Sequence, residues 1–136
     1  MRYSIEQKKR TDIAGAMFSI LIPTWNNLDL LQLCIRSIRL HSHYPHQIIV
    51  HVNEGTDGTL EWVKSQEDLD YSYSKENIGV CYALNICRPL MYTDYLLYLN
   101  DDMYVCPGWD KALYEEIEKL GHPYFFISGT AIEARP

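Results

Sequence analysis

The sequence is poor in positive charge. Its 136 residues include 12 lysines and arginines against 18 aspartates and glutamates, which gives a formal net charge of −6 at pH 7. Proteins that recognise nucleic-acid phosphates usually present a clustered basic surface. The only basic cluster here is the short run from Lys8 to Arg10, which is typical of a solvated segment. We therefore expect no nucleic-acid partner.

Long apolar runs are also missing. No segment approaches the roughly 20 apolar residues of a membrane-spanning helix, and the N-terminus has no apolar stretch of signal-peptide length. We expect a cytoplasmic chain. Peripheral attachment to a membrane, through an anchor outside this sequence, is the alternative.

The four cysteines form no CxxC pair: they are Cys34, Cys81, Cys87 and Cys106. Three of them stand in apolar runs, where a free cysteine behaves as a small hydrophobic residue. We predict reduced thiols in the core. A group of three histidines, His41, His43 and His46, flanks Pro45 without a fourth ligand at a zinc spacing, so we interpret them as surface residues.

Apolar runs and helical patterns alternate along the chain. Residues 1–16 are polar and without period, so we treat them as an N-terminal extension of a single domain formed by 17–136. The patterns predict strands over 17–22, 47–52, 70–74 and 95–99, a last apolar run over 124–127, and helices over 27–41, 56–65, 77–88 and 108–120.

This alternation predicts an α/β fold. We expect three layers, with a mostly parallel sheet, right-handed crossovers and helices on both faces. The strand over 95–99 is apolar at every position and should be buried on both faces. In such folds a ligand binds outside the carboxyl ends of the strands.

The strand over 95–99 runs directly into Asn100, Asp101 and Asp102. Adjacent carboxylates at the end of a buried strand repel each other and need a compensating cation. Hard oxygen ligands suit Mg²⁺ or Mn²⁺, which bridge a few carboxylates to substrate phosphates. The pattern therefore predicts a divalent metal with Asp102 as its ligand. A polar turn with helix-capping value is the alternative.

Two other strand ends carry residues suited to ligand binding. Asn77 and Gly79 precede a predicted helix, where Asn77 can act as a cap and Gly79 allows a ligand to approach the backbone. After the first predicted strand, Pro23 fixes the exit and Thr24 offers polar groups to a base or ribose, while Trp25 can stack on a ring. Simple packing of the aromatic ring is the alternative.

The order of these motifs resembles glycosyltransferase family 2. The resemblance covers about residues 17–120 and rests on Pro23-Thr24-Trp25-Asn26, Gly55-Thr56-Asp57-Gly58-Thr59, Asn77-x-Gly79 with Ala83 and Asn85, Asn100-Asp101-Asp102 and Pro107-Gly108-Trp109. It implies the N-terminal, nucleotide-sugar-binding half of a GT-A fold and transfer of a sugar from a UDP- or GDP-type donor. By motif position, Thr24 would contact the nucleoside, and Asn100 to Asp102 would form the metal-binding element known as DXD. Asp102 would then bind Mn²⁺ or Mg²⁺.

The sequence departs from the family pattern at two places. Asn100 replaces the usual first aspartate of the DXD element, which keeps hydrogen bonding but removes a charge. Asn53 and Glu54 stand where relatives commonly carry paired aspartates, and both remain candidates for contacts with the base or ribose. Lys75 stands near a position that is often basic and faces the nucleotide in relatives; a solvated lysine is the alternative.

The resemblance implies inverting transfer by a general base from a second, acceptor-binding half of the fold. The sequence ends at Pro136, before such a half, and we do not assign Glu133, the only terminal acid, as the base. The catalytic residues are therefore unknown, and activity of the isolated chain stays open. One alternative is a non-catalytic nucleotide-sugar or metal-binding module, and another is a subunit completed by a partner chain or a homo-oligomer. A nucleotidyltransferase is disfavoured because no Gly-rich phosphate loop follows the first strand.

Overall fold

The chain forms a five-stranded sheet covered by four α-helices within residues 3–10 and 12–132, which the computed structural model describes. The strands are β1 (Ile5–Lys8), β2 (Phe18–Trp25), β3 (Gln47–Asn53), β4 (Leu69–Ser74) and β5 (Tyr95–Tyr98). The helices are α1 (Leu28–His41), α2 (Thr59–Ser65), α3 (Val80–Cys87) and α4 (Trp109–Leu120), and a 3₁₀ turn, Arg88–Leu90, follows α3. The predicted α/β architecture is confirmed.

The sheet has the order β1-β4-β3-β2-β5. Strands β2 to β5 are parallel, which places their carboxyl ends at one edge of the molecule. Strand β1 lies antiparallel to β4, with Ile5 opposite Ser74. Strand β1 was not predicted, because a short edge strand exposed along most of its length shows no apolar alternation.

Two apolar clusters cover the two faces of β2 and β3. Alternate residues of β2, such as Ile20 and Ile22, pack with β3, α1 and α2 in the larger cluster, and apolar side chains of α4 lie against it. The residue between them, Leu21, packs with Ile49, Cys87 and Leu90 on the α3 side. Because both faces of β2 and β3 are buried, their sequences are mostly apolar, and the polar residues within them, such as Ser19 and His51, are themselves buried.

Strand β5 is not buried on both faces as expected. Leu96 is 51% exposed and Tyr98 is 43% exposed. Both point to the α3 side of the sheet, where the apolar cluster consists of residues from β2, β3 and the α3 region and includes none from β5. Continuous apolarity in the sequence therefore did not identify the solvent-facing side of this edge strand.

The first helix is capped from a neighbouring loop. Asn27 occupies the N-cap position of α1, but its side chain makes no capping bond. Asp57 instead accepts the Leu28 N–H at Oδ2 (3.0 Å) and the Thr59 N–H at Oδ1 (3.1 Å), so one carboxylate serves the starts of α1 and α2. Burial by itself would raise the pKa of Asp57, but the bonds from Thr59 and Leu28 outweigh it and lower the pKa below its ordinary value.

The expectations that all four cysteines are buried and that His46 is a surface residue need correction. Cys34 and Cys87 are buried as predicted, whereas Cys81 and Cys106 are exposed. Cys81 lies on the outer side of α3, and Cys106 lies in the loop before α4, so an apolar sequence context did not place them in the core. His46 is buried and not a surface residue, because it pairs with a buried carboxylate.

That carboxylate belongs to Asp110, whose side chain is fully buried at the start of α4. It accepts the backbone N–H groups of His43 and Tyr44, each at 2.8 Å, and the ring N–H of His46 at 2.9 Å. His46 accepts the Phe18 N–H at Nδ1, so its own proton is on Nε2. Burial lowers the pKa of His46 against the effect of Asp110, and the pair is a carboxylate bound to a neutral imidazole.

The terminal apolar run, residues 124–127, forms no strand, and the Phe126 side chain is 95% exposed. Within 3–10 and 12–132, no helix combines the length and apolarity that crossing a bilayer requires.

We predict that Asp110→Asn lowers the free energy of unfolding by about 3 kcal/mol, because the amide cannot replace a carboxylate that accepts several buried N–H donors. Urea unfolding followed by circular dichroism measures the change. Asp94→Asn is the matched control, because Asp94 is exposed and makes no described hydrogen bond. Equal stability of the two variants would contradict the anchoring role of Asp110.

We also predict a pH dependence that originates at His51. This ring is buried between the hydroxyls of Ser72 and Ser74, and burial lowers its pKa from 6.5 to about 4. The folded state thus favours the neutral ring, so its contribution is complete above pH 6.5 and is lost as the pH falls towards 4. The loss is about 3 kcal/mol.

Urea titrations between pH 7.5 and 4 on the wild type and on His51→Gln measure this contribution. The variant should lose less stability on acidification, because only the titration of His46 and other groups remains. His122→Gln removes an exposed histidine and should keep the wild-type slope. A wild-type slope in His51→Gln would refute the assignment.

Candidate functional site

A cleft of about 450 Å³ opens at the carboxyl ends of β2, β3 and β5 and the start of α3. Its lining includes most of the predicted ligand-binding residues, namely Pro23, Thr24, Trp25, Asn53, Asn77, Gly79, Asn100 and Asp101. Asn26, Asn27, Val80 and Tyr98 complete it. Glu54, Lys75 and Asp102 are outside the lining, so the structure brings together eight of the eleven predicted site residues, without itself testing what any of them binds.

The two strand ends that flank the cleft are joined by one hydrogen bond. Thr24, buried at the end of β2, donates its hydroxyl to Oδ2 of Asp101 at 2.7 Å. Strand β5 lies beside β2 with Leu21 opposite Tyr98, so the residues that follow the two strands emerge next to each other. Asp101 is thereby fixed by the first strand of the parallel sheet.

Asn53 forms the floor of the cleft and is only 3% exposed. Its Nδ2 donates to the Thr24 carbonyl at 3.3 Å, and its Oδ1 accepts the Ile78 N–H at 2.9 Å. The side chain therefore connects the end of β2 to the segment before α3. Its predicted contact with a base stays a prediction, and the geometry adds a role in holding the two walls of the cleft.

The outer wall holds two non-glycine residues with left-handed backbone, Asn26 (φ 46°) and Glu54 (φ 61°). Such residues are uncommon and cluster at sites where the surroundings fix them. Asn26 donates to a carboxylate oxygen of Glu54 at 3.2 Å and accepts the Thr56 N–H at 2.9 Å. Trp25 precedes Asn26 in the chain and is 57% exposed, so its ring is available for stacking.

Asn77 does not cap α3 as expected, because the helix starts at Val80 with Gly79 at the N-cap position. Its Oδ1 accepts the Gly79 N–H at 2.9 Å and holds the turn that precedes the helix. Gly79 has φ 76°, which a residue with a Cβ adopts at a cost, so this turn explains the glycine.

Asp102 is exposed and has no hydrogen-bond or ion-pair partner among the described residues. The buried thiol of Cys34 donates to the Asn100 carbonyl at 3.6 Å. Burial, together with the charges of Asp101 and Asp102, raises the pKa of Cys34 to about 12. The thiol therefore remains protonated beneath residues 100–102, which we call the acidic turn.

The carboxylates of the acidic turn fit a hard divalent cation only in part. Asp102 offers a carboxylate without a partner, and Asp101 offers the oxygen that does not bind Thr24. Within 3–10 and 12–132, no group of three or more His, Cys, Asp or Glu side chains could hold a metal ion by itself. One or two carboxylates match Mg²⁺ or Mn²⁺ when water and substrate phosphates complete the shell.

Sequence reasoning missed four lining residues. Tyr98 lies two residues before Asn100, so the alternation of side chains along a strand places both on the same side. This alternation could have identified Tyr98 as a lining residue. Asn26 was named only as the last residue of the Pro23-Thr24-Trp25-Asn26 motif, Asn27 was only the start of the first predicted helix, and nothing in the pattern marked Val80.

A larger cleft of about 620 Å³ lies at the opposite, amino ends of β3 and β4. Its central groups are used by the protein itself. Asp70 accepts the Arg10 backbone N–H and the Gln47 amide, while the Arg10 guanidinium donates to carbonyls at the end of α2 and in the loop after it. We interpret this region as structural.

The model of the family described as Glycosyl transferase family 2 matches residues 19–133. Together with a mostly parallel sheet and a polar cleft at its carboxyl edge, this match identifies the molecule as a GT-A glycosyltransferase domain. The chain belongs to glycosyl transferase family 2. A search of curated protein sequences found no match.

Solved structures agree with the fold. Staphylococcus aureus TarS 1–349 has a TM-score of 0.65 and 21% identity, covering 76% of this chain and 32% of TarS 1–349. Its complex with UDP-GlcNAc has a TM-score of 0.66 and 21% identity, with coverage of 76% and 31%. The mannosyltransferase PcManGT from Pyrobaculum calidifontis, in complex with GDP-Man and Mn²⁺, has a TM-score of 0.62 and 23% identity, with coverage of 85% and 37%. The chain thus spans about a third of the length of these neighbours.

We predict that Thr24→Val lowers the free energy of unfolding by about 1 kcal/mol, because Asp101 loses its hydroxyl partner while its other oxygen stays hydrated. Thr24→Ser keeps the hydroxyl and should recover most of the loss. Urea unfolding at pH 7 compares the three proteins. Equal stability of the Val and Ser variants would contradict a contribution from the Thr24–Asp101 bond.

Proposed function

We propose that this chain is the donor-binding part of an inverting glycosyltransferase that binds a nucleotide diphosphate sugar with a divalent metal at Asp102. The supporting observation is the Thr24–Asp101 hydrogen bond, which joins two strand ends inside the cleft. It fixes one carboxylate of the acidic turn and leaves the next one, Asp102, exposed. Family membership supports glycosyl transfer as the reaction class.

In this proposal, different residues of the cleft contact different parts of the nucleotide-sugar donor. Thr24 and Asn53 shape the wall against which the nucleoside lies, and Trp25 offers an exposed ring for stacking. Asn100 and Asp101 follow β5 beside Thr24 and would face the diphosphate, and Asp102 would hold the cation there. Glu54 and Lys75 would contact the donor only at the cleft's margin, since neither lines it.

A divalent cation at this place would neutralise the charge that develops on the departing nucleoside diphosphate. The carboxylates of Asp101 and Asp102 suit either Mn²⁺ or Mg²⁺. Two structural neighbours were solved with UDP-GlcNAc and with GDP-Man and Mn²⁺, so UDP- and GDP-type donors are the first to test.

A binding module without transfer activity is the second candidate. Asp101 is the only acid that lines the cleft within the described part of the chain, and the proposal assigns it to the metal and diphosphate and not to an acceptor hydroxyl. Glu133 lies outside the described residues. An acceptor site would then come from a longer form, a partner chain or a second copy.

Calorimetric titration of UDP and GDP tests the proposal, with Mn²⁺, with Mg²⁺ and with chelator. We expect one nucleotide to bind only with metal, and Asp102→Asn to weaken that binding at least about tenfold, because the exposed carboxylate is replaced by a poorer metal ligand of the same size. Asp94→Asn removes an equal charge outside the cleft and should bind like the wild type.

Failure of both nucleotides to bind under every condition would refute a donor site in this chain. Binding that does not depend on metal, or that survives in Asp102→Asn, would refute the metal role while keeping the nucleotide site. Hydrolysis of a bound UDP- or GDP-sugar, or transfer to an added acceptor, would separate the enzyme from the binding module.

A further inference from the structure

Three of the asparagines that line the cleft share one orientation. The side-chain oxygens of Asn26, Asn53 and Asn77 each accept a backbone N–H, from Thr56, Ile78 and Gly79 respectively, at 2.9 Å. A backbone N–H can only donate, so these bonds determine which amide atom is the oxygen. The oxygens are thus used by the protein, and the NH₂ groups are what can remain for a ligand.

Five asparagines line the cleft, and within the described residues the NH₂ groups of Asn77 and Asn100 have no protein partner while their oxygens are bound; the side chain of Asn27 makes no hydrogen bond at either atom. The NH₂ groups of Asn26 and Asn53 donate to Glu54 and to the Thr24 carbonyl. The Asn77 oxygen accepts the Gly79 N–H, and its nitrogen has no acceptor among the described residues. Asn100 has the same arrangement, because its oxygen accepts the hydroxyl of Tyr98.

Tyr98 thereby sets the orientation of Asn100. The two residues lie on the same side of the strand end, and both line the cleft. In the structure the Tyr98 hydroxyl donates to Oδ1 of Asn100, which leaves the Nδ2 of that amide for a ligand. An amide without this partner could present either its oxygen or its nitrogen.

The cleft contains no lysine or arginine within the part of the chain that the structure describes. Its outward-facing polar groups are therefore uncharged N–H donors beside carboxylates that suit a cation. A ribose or sugar hydroxyl can both donate and accept, whereas an ionised diphosphate has only acceptor oxygens and is therefore matched by groups that only donate.

We infer that the NH₂ groups of Asn77 and Asn100 bind diphosphate oxygens of the donor, and that Tyr98 is a positioning residue that keeps Asn100 in the donating orientation. This inference rests on the proposed function and identifies the part of the ligand that these side chains recognise. The first residue of the acidic turn then acts as a hydrogen-bond donor to the ligand, which an aspartate at that place could not do when ionised.

The test compares UDP with uridine, or GDP with guanosine if GDP is the nucleotide that binds, in calorimetric titrations with saturating Mn²⁺. Asn100→Ala and Asn77→Ala each remove an NH₂ group without adding charge. We expect each to weaken diphosphate binding about fivefold and to leave nucleoside binding unchanged, as for the loss of one hydrogen bond. Gln66→Ala removes an amide near the opposite end of the sheet and should change neither affinity.

Tyr98→Phe completes the experiment. It should weaken UDP binding about twofold, because Asn100 then spends part of its time with the oxygen outward, and it should have no further effect in Asn100→Ala. A purely structural role of Tyr98 would instead weaken UDP and uridine binding together and would persist in that double variant.

Three results separate the conclusions. If the wild type binds no nucleotide, the proposed function fails and this inference fails with it. If the wild type binds UDP but the asparagine variants change UDP and uridine equally or not at all, only the inference is overturned. Asn100 and Tyr98 are exposed, so their variants should fold, and melting temperatures like that of the wild type would confirm this.

Discussion

The position of the cleft depends on a buried carboxylate that lies outside it. Asp110 binds the backbone of the loop between α1 and β3 and, through His46, reaches the start of β2. The acidic turn is part of the segment between β5 and α4. One end of this segment is held by the pairing of β5 with β2, and the other end is held by Asp110.

Weaker contacts hold the segment between these two ends. The Val105 N–H donates to the Ser37 hydroxyl at 3.0 Å, the Gly108 N–H donates to the His41 carbonyl at 3.0 Å, and Cys34 reaches the carbonyl of Asn100. All three partners belong to α1. The carboxylates at the cleft are thus positioned by a helix that contributes none of the cleft's polar side chains, and this separates the residues that stabilise the fold from those that face a ligand.

The sequence predicted the order and type of most elements because β2, β3, α1 and α4 have strong apolar patterns or clear start signals. It also predicted the cleft, since in a parallel sheet the residues after each strand meet at one edge. What it missed has physical causes. Strand β1 is an exposed edge, β5 lacks a cover over Leu96 and Tyr98, and the burial of His46 depends on Asp110, which is 64 residues away in the chain. The inward orientation of the asparagine oxygens depends on the backbone N–H groups that the fold brings to them.

The shared carboxylate of Asp57 has a consequence for how the chain folds. Its two oxygens bind the first turn of α1 and the first turn of α2, which belong to successive strand–helix units. Asp57 lies in the loop before α2, so α2 is capped within its own unit, whereas α1 completes its start only when that loop is in place. The first unit is therefore expected to form together with the second and not as an independent repeat. The wall of the cleft that contains Asn26 and Glu54 lies between these units and becomes ordered only when both are in place.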